Sequence, residues 1–240
     1  MSVISPPKIL IRTPNWLGDL VMASGFVKAV LDYYPESAVD LIVKSGFENL
    51  PLPQRGKIIV FDPDKISAGA FGKNLASENY SHFYVLPPSF SSAWMAFQSK
   101  IPQRIGYAGE FRSLLLSKAK KHEGKPRSLH ILKEYLNLLD PQLSVDKFPP
   151  QLETSADWIE KHLNSFKKPL PESYLVFTPG AVYGPAKQWP LEHFRTLATQ
   201  MIQLFGTSIL ILGTAEDAES GAEISQGIEG VHNYCGQTTL

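Results

Sequence analysis

The 240-residue sequence has little cysteine, no net charge and no long apolar run. Its one cysteine, Cys235, excludes a disulfide framework and a cysteine-based metal site. Lys and Arg (23) balance Asp and Glu (23), which argues against a general nucleic-acid-binding protein because such proteins carry a basic excess. The six histidines show no ligand spacing such as HExxH, so no metal site is predicted.

Targeting and membrane signals are also missing from the sequence. The apolar runs have the length of strands and stay far below the ~20 residues that a membrane-spanning helix needs. Residues 1–7 contain no charged stretch followed by an apolar region, so we predict no signal peptide. We therefore expect a cytoplasmic, soluble protein, and peripheral contact with the inner face of the inner membrane stays open.

The sequence alternates short apolar runs with segments of helical spacing. Among these, residues 8–12 and 103–107 are predicted as strands, and residues 19–33 and 191–205 are predicted as helices. This alternation predicts an α/β fold, in which a mostly parallel sheet carries helices on both faces. An amphipathic helix with Ser155 as N-cap is predicted at 155–166, followed by a hinge at 167–173 that contains Pro169 and Pro171. We place the first domain at residues 1–165 and the second at 166–240.

The second pattern holds two strand–helix units and the start of a third, whereas open α/β sheets usually have about five or more strands. We therefore expect the second domain to be cut short at Leu240. The alternative is a small C-terminal appendage that is complete as written.

The first motif follows the first predicted strand and reads TPNWLGDLVMA at residues 13–23. Ligand sites of open α/β sheets lie at the carboxyl ends of strands, and Gly18 permits a tight turn with close backbone approach. Asp19 is the only carboxylate of this loop and hence a candidate general base. The alternative is that Asp19 only caps the next helix and complements its dipole. The loop lacks the GxGxxG pattern of nicotinamide-binding turns.

The second motif, TPGAVYGPAKQWP at residues 178–190, lies between a predicted strand and a predicted helix. It does not fit the Walker pattern, because Pro185 and Ala186 separate Gly184 from Lys187. A loop with one lysine before a helix can still hold a diphosphate. The alternative is an ordinary surface lysine in a rigid turn.

Charged residues form two further groups. Glu216, Asp217 and Glu219 follow the predicted strand that ends near Gly213, where an acidic side chain can bind a ribose hydroxyl. The alternative is an acidic first helical turn that the helix dipole favours. A basic run at residues 118–127, which includes Lys118 and Lys120, is either a solvated face or a contact for an anionic acceptor or a membrane surface.

Together, the two loops resemble the signatures of the bacterial ADP-heptose:lipopolysaccharide heptosyltransferases of glycosyltransferase family 9, especially the heptosyltransferase II type. Residues 12–23 resemble the opening signature, and residues 179–190 resemble the start of the C-terminal domain. The shorter stretches RIGY (104–107), LGT (212–214) and CGQTTL (235–240) follow in the expected order, so the resemblance covers essentially the whole sequence.

The resemblance implies a GT-B arrangement of two Rossmann-like domains facing a cleft, with the acceptor in the first and ADP-heptose in the second. It implies an inverting, metal-independent transfer of heptose to the lipopolysaccharide inner core, with ADP-heptose as co-substrate, a Kdo- or heptose-bearing lipid A as acceptor, and neither cofactor nor nucleic acid as partner. Asp19 would be the general base, and Lys187 would hold the diphosphate. The expected donor-binding residues are Gly180, Tyr183, Gly184, Lys187, Gly213 and Asp217; the expected acceptor-binding residues are Asn15, Trp16, Gly18, Lys118 and Lys120.

One departure concerns the Asp-Ser-Gly stretch with a downstream His that lies at the donor diphosphate in this family. That stretch is absent from the sequence, so we expect these 240 residues to hold only part of the diphosphate site and to be inactive by themselves. Two alternatives remain: a family 9 transferase with another nucleotide-sugar donor or acceptor, and a non-catalytic nucleotide- or glycan-binding module.

Overall fold

A computed structural model describes residues 6–109, 111–124, 128–163, 170–181 and 185–238. The chain divides into two compact units, Met1–Thr154 and Ser155–Leu240. The helix predicted at 155–166 falls in the second unit by this division, whereas the sequence places the domain boundary after residue 165. Residues 167–169 of the predicted hinge lie outside the described residues.

The first unit contains a six-stranded, fully parallel sheet with the strand order β3-β2-β1-β4-β5-β6. The order reverses between β1 and β4, which is the switch point where open α/β sheets form their ligand crevice. The strands are β1 Ile9–Arg12, β2 Val39–Lys44, β3 Ile58–Phe61, β4 His82–Val85, β5 Gln103–Tyr107 and β6 Lys118–Lys120.

Four helices cover the two faces of this sheet: α1 Leu17–Tyr33, α2 Ala68–Asn74, α3 Phe90–Gln98 and α4 Ile131–Leu139. Successive side chains of a strand point to opposite faces, and β1 shows this in its packing. Ile9 and Ile11 pack in the cluster with residues of α1 and α4, whereas Leu10 packs with residues of α3. Gly25 of α1 lies so close to the backbone of Phe148 that a Cβ there would clash, so α1 packs tightly onto the segment after α4.

The second unit begins with α5 Ala156–Leu163 and then has a three-stranded parallel sheet in the order β7-β8-β9. Ser155 caps α5 as predicted, because its Oγ accepts a hydrogen bond from Trp158 N at 3.0 Å. The remaining elements are β7 Tyr174–Phe177, α6 Leu191–Phe205, β8 Ser208–Ile211, α7 Ala218–Ser225 and β9 Val231–Asn233. Phe177, Ile209 and Ile211 join Ala198 of α6 and Ile224 of α7 in a separate core.

Two elements differ from the prediction. Helix α1 begins at Leu17 rather than Asp19, with Trp16 at the N-cap position. Lys118 and Lys120 belong to the edge strand β6. The sequence pattern did not predict this strand, because its three residues include two lysines and so form no apolar run. Backbone pairing of β6 with β5 therefore overrides the weak local preference of this stretch.

Candidate functional site

The loop after β1 lies at the carboxyl edge of the first sheet. Arg12 at the end of β1 is buried, and its guanidinium donates hydrogen bonds to the carbonyls of Thr13 (2.8 Å) and Ile42 (3.3 Å) and to Asn15 Oδ1. Burial lowers the pKa of Arg12 to about 10, so the guanidinium stays charged at neutral pH. These bonds fix the start of the loop that leads into α1.

Asp19 is the third residue of α1 and is half-buried. The helix starts two residues earlier than predicted, with no side-chain cap at Trp16, so the interpretation of Asp19 as a helix cap is wrong. Asp19 does lie in the first turn of α1, where its charge complements the helix dipole as the alternative expected. Among the described residues, no partner lies within hydrogen-bond or ion-pair distance of the Asp19 carboxylate. A carboxylate with no structural partner remains available to accept a proton from a ligand.

Trp16, just before α1, and Gly18, in its first turn, are both exposed. Gly18 lies in the first helical turn and has no positive φ, so the tight turn inferred for it is wrong. Nothing lies within 4 Å of where its Cβ would be, which leaves open space beside the helix start. The Trp16 side chain is 58% exposed and presents its ring at the same loop.

A cavity of about 280 Å³ opens at this edge of the first unit. Its wall comes from the ends of β1, β2 and β3 and from the segment after β4 that starts α3. Arg12 and Asn15 line it, so the cavity adjoins the loop of the first motif. The rest of the wall was not predicted from the sequence, although Ser89, Ser91 and Ser92 follow the buried strand β4 within a few residues.

The two lysines predicted to bind the acceptor lie on the edge strand β6. Lys118 is exposed, and its Nζ donates to Gln103 Oε1 at 2.7 Å. Lys120 is half-buried, its Nζ donates to the Asn137 carbonyl at 2.6 Å, and burial lowers its pKa. Neither lysine lines the cavity, and both already hold structural hydrogen bonds.

In the second unit, three of the predicted donor-binding residues come together at the carboxyl edge of the sheet. Gly180 and Gly213 follow β7 and β8, and each lies so close to the Asp217 side chain that a Cβ there would clash with it. Asp217 Oδ2 accepts hydrogen bonds from Thr214 N (2.8 Å) and Thr214 Oγ1 (2.9 Å) as part of a capping box. The acidic first helical turn expected as the alternative is also present, because Glu216 and Asp217 lie in the first turn of the 3-10 helix Ala215–Asp217 and Glu219 lies in the first turn of α7.

Lys187 ends a short 3-10 turn, Pro185–Lys187, that precedes α6, and its side chain is exposed. Tyr183 and Gly184, the other predicted residues of this loop, lie outside the described residues. No group of three or more His, Cys, Asp or Glu side chains in the described part of the chain is arranged to hold a metal ion. Within the same residues, no helix combines the length and apolar character that crossing a membrane requires.

Comparison with known proteins identifies the family of this chain. The model of glycosyltransferase family 9 (heptosyltransferase) matches residues 68–240. The chain belongs to glycosyltransferase family 9. Its predicted identity as a glycosyltransferase of the heptosyltransferase type is thereby confirmed.

Individual relatives agree with this family. The chain is 32% identical to lipooligosaccharide heptosyltransferase 2 of Haemophilus ducreyi and 29% identical to lipopolysaccharide heptosyltransferase 2 of Escherichia coli; each match covers 97% of this chain and 72% of the relative. The solved structure of the E. coli ADP-heptose lipopolysaccharide heptosyltransferase II matches with a TM-score of 0.80 and 29% identity, over 97% of this chain and 74% of that chain. The predicted α/β class with Rossmann-like units of the GT-B type is confirmed by this match and by the parallel sheets.

Proposed function

We propose that this family 9 member transfers heptose from ADP-heptose to the inner core of lipopolysaccharide, with inversion at the anomeric carbon and without a metal ion or other cofactor. The observation that carries the proposal is Asp19: a half-buried carboxylate without a partner among the described residues, at the carboxyl edge of a Rossmann-like sheet. The similarity to lipopolysaccharide heptosyltransferase 2 of E. coli supports the acceptor class, and the similarity to the solved E. coli ADP-heptose lipopolysaccharide heptosyltransferase II supports the donor.

The reaction is a single displacement. The acceptor hydroxyl oxygen forms a bond to the anomeric carbon of the heptose, the bond from that carbon to the diphosphate oxygen breaks, and Asp19 takes the hydroxyl proton. ADP leaves with the bonding electron pair. Lys187 would neutralise the charge that develops on the diphosphate, a role for which a cation is typically worth ~10²–10³ in rate.

The donor would bind at the carboxyl edge of the second sheet. The absence of a Cβ at Gly180 and Gly213 lets the Asp217 side chain pack against both turns, and Asp217 is held there by its two hydrogen bonds from Thr214. A ribose contact at Asp217 would use Oδ1, because Oδ2 already accepts two hydrogen bonds. Asn15, Trp16 and the open space beside Gly18 would receive the acceptor in the first unit.

A transfer assay tests the proposal. Full-length protein with ADP-heptose and a heptosyl-Kdo-lipid A acceptor is expected to release ADP, to give a product of inverted anomeric configuration by NMR, and to keep its rate in EDTA. Absence of ADP release with both anomers of ADP-heptose would contradict the proposal. Transfer from another nucleotide sugar would reassign the donor, and calorimetric binding without product would indicate a non-catalytic module.

A further inference from the structure

The cavity beside the first motif holds two cationic side chains. Arg12 and Lys44 come from the ends of β1 and β2, and among the described residues no Asp or Glu lines the wall. The nearby Asp62 is ion-paired with Lys65 at 3.1 Å and does not line the cavity. The local charge of the cavity wall is therefore positive, although the whole chain is neutral.

Arg12 is a buried cation without an anionic partner among the described residues. Its side chain is only 2% exposed, and its hydrogen bonds go to two backbone carbonyls and the neutral amide of Asn15. Burying a charge without a counterion costs free energy, and a bound anion would offset that cost. Desolvation also strengthens the attraction between such a cation and an anion that enters the cavity.

Hydroxyl groups also line the cavity, at the start of the nine-residue helix α3. Ser89 is the N-cap, and its Oγ accepts from Ser92 N at 3.3 Å. Ser91 is exposed, and within the described residues its hydroxyl contacts only the hydroxyl of Ser89, at 3.1 Å. The first N–H groups of a helix have no partners within it and favour negative charge, so the start of α3 adds to the positive potential of the two cations.

We propose that this cavity binds an oxyanion, a carboxylate or a phosphate, that is carried by the sugar acceptor. The assignment to the acceptor rests on the proposed function and on Asn15, which lines the cavity and belongs to the loop that leads to Asp19. Phe61 and Met95 add an apolar side to the wall, against which the carbon atoms of a sugar ring can pack. Binding the anionic group here would hold the acceptor by a point other than its reacting hydroxyl.

The test uses the full-length protein and inorganic phosphate, with no donor and no turnover, so that its result is independent of the proposed reaction. Calorimetry is expected to detect phosphate binding that Lys44→Gln weakens about tenfold, the loss of one charge-assisted hydrogen bond. Ser91→Ala and Arg12→Lys are expected to weaken it as well. Lys73→Gln is the matched control: it removes the same charge from an exposed lysine outside the cavity and is expected to bind phosphate like the wild type.

Competition then distinguishes the two sources of an oxyanion. Kdo, a sugar acid with one carboxylate, is expected to displace phosphate from the wild type, whereas ADP is expected not to. Displacement by ADP but not by Kdo would overturn the assignment to the acceptor. Wild-type phosphate binding in Lys44→Gln and Ser91→Ala, or no phosphate binding at all, would overturn the site itself. If circular dichroism shows that Arg12→Lys does not fold, the variants at the exposed residues, Lys44→Gln and Ser91→Ala, decide the result.

Discussion

The buried guanidinium of Arg12 donates a hydrogen bond to Oδ1 of Asn15 and so ties the end of β1 to the loop before α1. The same guanidinium holds the carbonyls of Thr13 and Ile42, which join β1 to β2 at this edge. Asp19 follows in the first turn of α1. The position of the proposed base therefore depends on a cation in the core of the sheet.

Asn15→Ala removes the side-chain acceptor of Arg12 and frees the loop. We expect kcat/KM for transfer to fall about tenfold, because one charge-assisted hydrogen bond that orients the loop is lost. Steady-state kinetics of the full-length enzyme measures this. Asn74→Ala, which changes an exposed amide outside the cavity, should keep wild-type kinetics. Wild-type kcat/KM in Asn15→Ala would refute the anchoring role.

Two Gly→Ala substitutions should change the free energy of unfolding in opposite directions. In Gly180→Ala the new methyl group would collide with the Asp217 side chain, so we expect the free energy of unfolding to fall by about 1–3 kcal/mol. In Gly18→Ala the methyl group meets open space in a helical turn, and stability should rise by up to about 1 kcal/mol. Urea unfolding measures both. Equal effects of the two substitutions would contradict the packing described at Asp217.

Gly18→Ala also tests the acceptor site. If the acceptor approaches the open space beside Gly18, the methyl group should raise the KM for the acceptor while the KM for ADP-heptose stays unchanged. An unchanged KM for the acceptor would remove Gly18 from the acceptor-binding residues.

Lys187→Ala should lower kcat by roughly 10²–10³, because the cation that neutralises the leaving diphosphate is lost. Lys187→Arg should recover part of that loss, since it restores the charge with a different geometry. Lys161→Ala, on the last turn of α5, is a charge-matched control. Transfer at the wild-type rate in Lys187→Ala would show that Lys187 has no role in the reaction and is an ordinary surface lysine.

Tyr107 is expected to make the stability of the first unit fall as the pH rises in the alkaline range. Burial, together with the charge of Glu134, raises the pKa of Tyr107 to about 12, and its hydroxyl donates to the Glu134 carbonyl at 2.6 Å. A raised pKa means that the folded state holds the proton more tightly than the unfolded state. Its contribution is therefore complete below about pH 10 and is lost as the pH rises through about 12.

Tyr107→Phe should accordingly flatten the loss of stability between pH 10 and 12. Urea unfolding at a series of pH values measures the slope. Tyr33→Phe, at a half-exposed tyrosine on α1, should keep the wild-type slope. Parallel curves for Tyr107→Phe and the wild type would show that Tyr107 does not carry this dependence.

Much of the fold follows from local pattern. The apolar runs of β1 and β5 and the helical spacing of α6 predicted those elements to within a residue, because buried parallel strands and amphipathic helices have distinct periods. The edge strand β6 was missed because lysines alternate in it and its pairing partner β5 is non-local. The start of α1 was misplaced because Trp16 carries no capping side chain that the sequence could reveal.

The candidate site was predictable only where a motif is contiguous. Gly180, Gly213 and Asp217 were predicted separately, and their mutual contact depends on how three loops meet at one sheet edge. The cavity of Arg12, Lys44 and Ser91 was not predicted, because its residues come from strands and helices far apart in the sequence. Such a grouping depends on strand order, which local periodicity does not encode.

The central claim is that Asp19 acts as the general base, and Asp19→Asn in the full-length protein tests it most directly. We predict that turnover is abolished, that ADP binding by calorimetry is retained, and that the free energy of unfolding falls by at most about 1 kcal/mol, because Asp19 makes no capping hydrogen bond and only complements the helix dipole. Asp32→Asn on the same helix, which loses only the Lys28 ion pair, should turn over normally. Transfer by Asp19→Asn at the rate of the wild type would contradict the account.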